Sequence, residues 1–363
     1  MIKCKRLFII LLVFTLLSPT VVGLESTSYE YNLSYRFENR GNTSIGLTLD
    51  DVTIPLFMNT SKQTVRLENV SQEYVVKVID VDGNTGAIIG IDRNLSPGDE
   101  VSFSANYQIS SSGENVPSLS LEDAEGFEKI PLKFIEEYTI PTETFPGDNP
   151  LFTNLTRSLV SKDNSVLEAV SVLAQYIMDN TTYCNFEVPK YPIDTLENHQ
   201  GDCDDQSILL ITLCRNLDIP AYLQVGIYIH PSVDEHDSSW EGHLTNIADG
   251  VGWHGWAMIY IPPWGWVPVD MTLTNSDSGL DLIKKAPEYD PNIISVLNVS
   301  RQSYIAKTLK TRERLLNSSL YVTVVDEART VYSPRNPSQN YLLMGLFFAL
   351  LASIGLMYKY GEK

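Results

Sequence analysis

Apolar and polar positions alternate through the first third of the chain. Tyr29, Tyr31, Leu33, Tyr35 and Phe37 occupy every second position, as do Val101, Phe103, Ala105 and Tyr107, and residues 74–79 form a short apolar run. Between them stand Asn39-Arg40-Gly41-Asn42, Asp82-Gly83-Asn84 and Ser96-Pro97-Gly98-Asp99, residue types that favour turns. A period of two with such punctuation predicts short strands, so residues 24–112 read as an all-β sandwich of immunoglobulin-like size. No cluster of chemistry-bearing residues stands out there. Residues 113–150 read as a linker, polar at its start and closing on Pro141, Pro146, Gly147 and Pro150.

Beyond the linker the period lengthens. Ser165 and Glu168 form a capping box, and Val166, Ala169, Val170, Leu173 and Ile177 then fall on one helical stripe. A second helix starts at Gly201-Asp202-Cys203-Asp204-Asp205-Gln206-Ser207 and continues through Arg215, with Cys203, Ser207, Leu210 and Cys214 on one face. Strands follow at residues 221–229, 253–261 and 264–270, the last two separated by Pro262-Pro263. Residues 231–250 are polar and read as a solvated loop. Residues 276–333 carry a basic helical stretch (Lys307, Lys310, Arg312, Arg314) and a strand-like segment at 320–325, completing a second domain over 151–333.

Composition excludes some classes of function. The 363 residues hold 26 basic and 45 acidic side chains, a formal charge of −19. An acidic chain of this kind lacks the basic stripe that displaces counterions from phosphates, so nucleic acid is not expected as a partner. A hydrophobic fraction of 43 % places it well away from disordered chains. Four cysteines are too few for a disulfide-built scaffold.

The two ends suggest a compartment. Lys3, Lys5 and Arg6 precede an apolar run, and small residues follow at 21–23, the order of a secretory signal over residues 1–23. Residues 341–358 contain no charge and would extend ~27 Å as a helix, enough to cross a bilayer, with residues 359–363 as a cytoplasmic tail. Nine Asn-x-Ser/Thr sequons occur, at Asn32, Asn42, Asn59, Asn69, Asn94, Asn154, Asn180, Asn298 and Asn317. With 23 Asn and 58 Ser plus Thr, about four would arise by chance. The expectation is a single-pass glycoprotein of the cell membrane with its bulk outside.

The chemistry gathers around Cys203. A cysteine at a helix N-terminus sits where unpaired amides and the helix dipole favour a thiolate. Downstream lie His254 and Asp270, in strands flanking a hairpin crowded with Trp253, Trp256, Trp264 and Trp266. Cysteine, imidazole and carboxylate are the parts of an activated nucleophile. The Gly201–Asp205 segment, His254-Gly255-Trp256, Gly265–Asp270 and Asp218-Ile219-Pro220-Ala221 together resemble the transglutaminase-like superfamily of papain-type cysteine enzymes, over roughly residues 154–274. That resemblance implies an α+β core, a Cys-bearing helix packed on an antiparallel sheet, with Cys203 as nucleophile, His254 as base and Asp270 as its orienter. It also suggests a membrane-anchored surface member of prokaryotic or archaeal type. Met258 departs from the acidic residue that many relatives carry after the histidine.

These residues point to acyl transfer through a thioester on a protein or peptide substrate, with hydrolysis by a peptidase or amidase favoured. Crosslinking to an amine, or an inert binding protein on the same fold, are the alternatives. No cofactor and no metal are expected: Asp202, Asp204 and Asp205 read as capping acids, and His230, His236 and His243 fit no compact ligand spacing. The Cys203 amide supplies one oxyanion donor, and Gln200, Tyr191 and Tyr183 are candidates for the second. Cys184 and Cys214 could pair in an oxidising exterior, whereas Cys203 and Cys214, about 16 Å apart on one helix, could not. A four-residue turn at 262–265 would place His254 and Asp270 on opposite faces unless a bulge intervened.

Overall fold

The computed structural model describes residues 26–161 and 163–332. The expected signal (1–23), membrane span (341–358) and tail (359–363) lie outside the described residues, and among those described no helix is long and apolar enough to cross a membrane. Residues Thr27–Ser333 form one compact unit.

The first strands are β1 (Thr27–Asn39), β2 (Ile45–Gly46), β3 (Thr53–Pro55), β4 (Gln63–Val70), β5 (Tyr74–Val78), β6 (Thr85–Ile89), β7 (Asn94–Leu95) and β8 (Glu100–Ser111). As the alternation requires, Tyr29, Tyr31, Leu33 and Phe37 of β1 are buried, and so are Phe103, Ala105, Tyr107 and Ile109 of β8. In the β1–β8 register Leu33 faces Ala105, Tyr31 faces Tyr107 and Tyr35 faces Phe103. The last two are aromatic cross-strand pairs with centroids 5.7 and 5.2 Å apart.

Helices come next: α1 (Leu132–Tyr138), α2 (Pro150–Leu159) and α3 (Val166–Asn180). The Ser165–Glu168 capping box is formed in full, and the five stripe residues of α3 are completely buried. Strand β9 (Thr182–Tyr183), α4 (Pro192–Asn198) and β10 (Gln200–Gly201) lead into α5 (Cys203–Asn216). The remainder is β11 (Ala221–Ser239), β12 (Leu244–Ile261), β13 (Gly265–Val269), α6 (Gly279–Lys284), β14 (Ile293–Val299), α7 (Tyr304–Leu316) and β15 (Leu320–Tyr332).

The main sheet runs β14-β11-β12-β15-β1-β8-β4, with β13 paired to β12. The separate N-terminal sandwich expected over 24–112 therefore does not form. A three-stranded sheet, β3-β6-β5, does pack its Ile54, Ala87 and Ile89 against the aromatic face of β1 and β8. Yet the larger layer continues unbroken through β15 into the helix-bearing half. Alternation fixes which face of a strand is buried; it does not fix which strand lies beside it, and β1 pairs with β15 along twelve registered positions.

A second departure concerns residues 231–250. They are not a solvated loop but the extended end of the β11–β12 hairpin, registered from Asp234↔Asp249 to Ser239↔Leu244. The returning strand there also runs parallel to β15, from Leu244↔Val322 to Asp249↔Glu327. Its polar side chains reflect a sheet edge beside a cleft rather than a lack of structure. The three histidines are spread along it. His243 is buried, stacked on Tyr321 with its Nδ1 2.8 Å from the Leu320 carbonyl, while His230 and His236 are exposed.

Two hydrophobic cores result. One lies between α2, α3, α5, α6 and the β11–β13 half of the sheet, and the other between β1, β8 and β3-β6. Helix α5 is covered almost all round, not on one face only. Its last turn is pinned by Arg215, whose guanidinium donates to the carbonyls of Ala221 (2.9 Å), Ile140 (3.1 Å) and Ser300 (3.1 Å). The same group lies 4.2 Å over the Phe145 ring.

Candidate active site

Cys203 opens α5. Asp202, its N-cap, accepts from the Asp205 amide, and the Asp205 carboxylate returns the contact to the Asp202 amide. Asp205 also accepts from Lys190 N–H at 2.6 Å, and Asp204 from the Tyr304 hydroxyl at 3.1 Å. The three acids are thus engaged in holding the first turn and its surroundings.

Strand β12 closes on that turn. Ser207 Oγ–H donates to the Cys203 carbonyl at 2.7 Å and lies 3.3 Å from that of Gly255. A Cβ on Gly255 would stand 3.0 Å from Asp204 Cβ, tighter than ordinary packing, so glycine is what lets strand and helix approach. His254 precedes that glycine.

His254 Nε2 donates to Asp270 Oδ2 at 2.7 Å, and both side chains are buried. The register explains the contact. Ile261↔Gly265 closes a three-residue turn over 262–264, and the ladder runs back to Ala257↔Val269. One step further places Asp270 opposite Trp256, two positions from His254 and on the same face. No bulge is needed, because the turn is one residue shorter than expected. Asp270 Oδ1 accepts from the amides of Thr272 (2.7 Å) and Leu273 (3.0 Å). The His254 ring stacks on Trp256, centroids 5.8 Å apart. Glycine opposite His254, at position 226, leaves room for that indole: a Cβ there would lie 2.5 Å from it.

Electrostatics divide the site. Burial first, then the Asp204 and Asp202 charges, push the Cys203 thiol above its ordinary value, against the pull of the Gly255 and Asp204 amides. Burial also opposes ionisation of Asp270, but the hydrogen bond and charge of His254 hold it at about 2. Burial and the Asp202 charge raise Asp205 to about 7.

Of the three candidate donors, Tyr191 O–H is turned away to Glu143 at 3.1 Å and Gln200 is exposed. Tyr183 is itself largely exposed, and what burial its phenol has, then the Cys203 charge, raise it to about 12. Cys184, Cys203 and Cys214 are all free thiols, so Cys184 and Cys214 do not pair. A cleft of about 640 Å³ reaches Asp202 and Asp204 on either side of Cys203 and Trp253 beside His254, and it is walled by the extended hairpin and α7. One neighbour was invisible to sequence reasoning: Glu288, buried against Asp270. No spacing rule links position 288 to the hairpin.

Residues 153–271 match the sequence model of the transglutaminase-like superfamily. No curated protein sequence matches the chain. Among solved structures, a "putative cysteine protease" from Cytophaga hutchinsonii is similar with a TM-score of 0.53 and 13 % identity, over 86 % of this chain and 93 % of that one. That coverage exceeds the matched domain, so the strands preceding it share the fold too. A "putative protease" from Parabacteroides distasonis (TM-score 0.27, 11 % identity, 76 % and 68 % covered) is more distant. So is LapG of Legionella pneumophila (0.26, 15 %, 54 % and 99 %).

Proposed function

Taking residues 153–271 as a transglutaminase-like domain, we propose that the protein is a cysteine-dependent acyl-transfer enzyme, a peptidase or amidase working through Cys203, His254 and Asp270. The observation that carries this reading is the buried His254–Asp270 bond at 2.7 Å through Nε2, which leaves Nδ1 as the ring nitrogen available to the thiol. A raised thiol is no obstacle, because the ionised form is made only as the imidazole takes its proton and Asp270, held ionised, faces the imidazolium.

In the first step the Cys203 sulfur bonds to the substrate carbonyl carbon while its proton passes to His254 Nδ1. The oxyanion meets the Cys203 amide, which has no acceptor within its own helix, and the Tyr183 hydroxyl. Collapse breaks the C–N bond, and the departing amine takes the proton from His254. Water then attacks the thioester, giving one proton to His254; the acid leaves and the proton returns to sulfur. An amine in place of water gives crosslinking instead.

Exported placement at a membrane belongs to the same proposal. It is supported by the pattern of the two ends and by the excess of sequons. The register Ser28↔Tyr332 also brings the two ends of the described chain side by side.

Iodoacetamide labelling tests the chemistry. In the full chain Cys203 is expected to alkylate well below pH 8, and His254→Ala to abolish that reactivity while Cys184 labelling stays unchanged. Equal reactivity in both proteins would establish an inert scaffold. Release of peptides from a labelled denatured protein, lost in Cys203→Ala, separates hydrolysis from crosslinking, which would raise the product mass.

A further inference from the structure

Glu288 belongs to the single turn Pro287–Tyr289 that precedes β14. Its side chain is only 2 % exposed, and its carboxyl, an Asp270 oxygen and a His254 nitrogen all lie within 4.8 Å of one another. Neither carboxyl oxygen accepts a hydrogen bond among the described residues. The ammonium of Lys62, the cation at hand, donates to the Glu288 backbone carbonyl instead. A carboxylate there would be buried, without a donor, and pressed against a second carboxylate already committed to His254. Two such charges do not coexist in a dry site; one group keeps its proton. Asp270 has four donors arranged around it and Glu288 has none, so the proton falls to Glu288.

We propose that Glu288 is a neutral carboxylic acid whose O–H donates to Asp270, making it a positioning residue that fixes Asp270 and, through it, the His254 ring. This rests on the catalytic reading of Cys203, His254 and Asp270. The direction of titration agrees: burial first, then the charge of Asp270 and the hydrogen bond to it, push Glu288 well above the usual carboxyl range. The groups facing it are Asp270 and His254 on the site side, with Lys62, Glu114 and Tyr289 around a cavity of about 210 Å³ on the sheet face away from α5. Neutral Glu288 leaves one negative charge behind the imidazolium. Ionised, it would add a second and loosen Asp270 by repulsion.

The test compares wild type, Glu288→Gln and Glu288→Leu in the full chain. Infrared difference spectra at pH 7 are expected to show a protonated-carboxyl band that Glu288→Gln lacks. Glu288→Gln, whose amide can still donate to Asp270, is expected to keep the rate of Cys203 alkylation by iodoacetamide. Glu288→Leu, without a donor, is expected to lose about tenfold at pH 6–7 while remaining folded by circular dichroism. Absence of the band, or a glutamine variant as slow as leucine, would show an anionic Glu288 and overturn the proposal. Should Glu288→Leu fail to fold, the band and the glutamine variant decide alone. A wild-type rate in His254→Ala would reject the underlying catalytic reading, which is a separate result.

Discussion

The same burial acts on Cys203 and Asp270, yet one acid is pushed up and the other ends low, because the carboxylates beside Cys203 add to the effect of burial while the His254 hydrogen bond and charge outweigh it at Asp270. Individual donors therefore decide what each side chain does, and Tyr183 can be tested on that footing. Tyr183→Phe is expected to lower kcat for peptide hydrolysis by about a hundredfold with little change in KM. Its iodoacetamide rate should stay at the wild-type value, since alkylation builds no oxyanion. Equal loss in both assays would place Tyr183 in support of the thiol rather than of the substrate oxygen. The helix that opens at Cys203 and the pairing of His254 with Asp270 were legible in the sequence because helix-start and hairpin patterns are local. Glu288 was not, since tertiary packing alone carries it to the back of Asp270.

Single elements carry the precision of the site. Helix α5 is positioned at one end by its capping box and at the other by Arg215, which joins three separate chain segments through their carbonyls. Arg215→Met keeps bulk but leaves those carbonyls without a donor. A loss of at least about 3 kcal/mol in urea unfolding is expected; a loss under about 1 kcal/mol would mean that water replaces the guanidinium freely. The hairpin shows what local pattern reveals and conceals at this scale. The strands on either side of Pro262-Pro263 were evident from alternation, whereas turn length was not, and one residue fewer changed which faces align. Residues 231–250 look like a loop because of Pro231 and a run of polar side chains, and β15, the outer partner of residues 244–249, lies some eighty positions away in sequence.

For the molecule as a whole, ionisation is expected to oppose folding above mildly acidic pH. Asp205, raised to about 7, and Glu288, raised well above the usual carboxyl range, hold their protons at pH 5 in the folded state and ionise near 4 when unfolded. Each contributes stability that is present below about pH 4 and fades as pH rises through its folded value. Asp270, held at about 2, has the opposite sign: its contribution is present above about pH 4 and fades only toward pH 2. A net charge of −19 adds self-repulsion at high pH. Melting temperature is expected to be higher at pH 5 than at pH 8, and scanning calorimetry at both values checks it. A higher value at pH 8 would contradict protonated Asp205 and Glu288.

Strands β1 and β15 are neighbours in the middle of the main sheet, and the bond from Tyr31 to Asp326 joins residues 295 positions apart. A ribosome delivers β15 long after β1. Until the later one emerges, β1 and β12 each keep an open edge, and contacts this remote form slowly. A partly made chain can thus contain Cys203 and His254 without the finished sheet that frames them. The sheet that carries His254, and against which the Cys203 helix packs, closes only once β15 is in place, so the order of synthesis delays the finished frame whatever chemistry the two side chains perform.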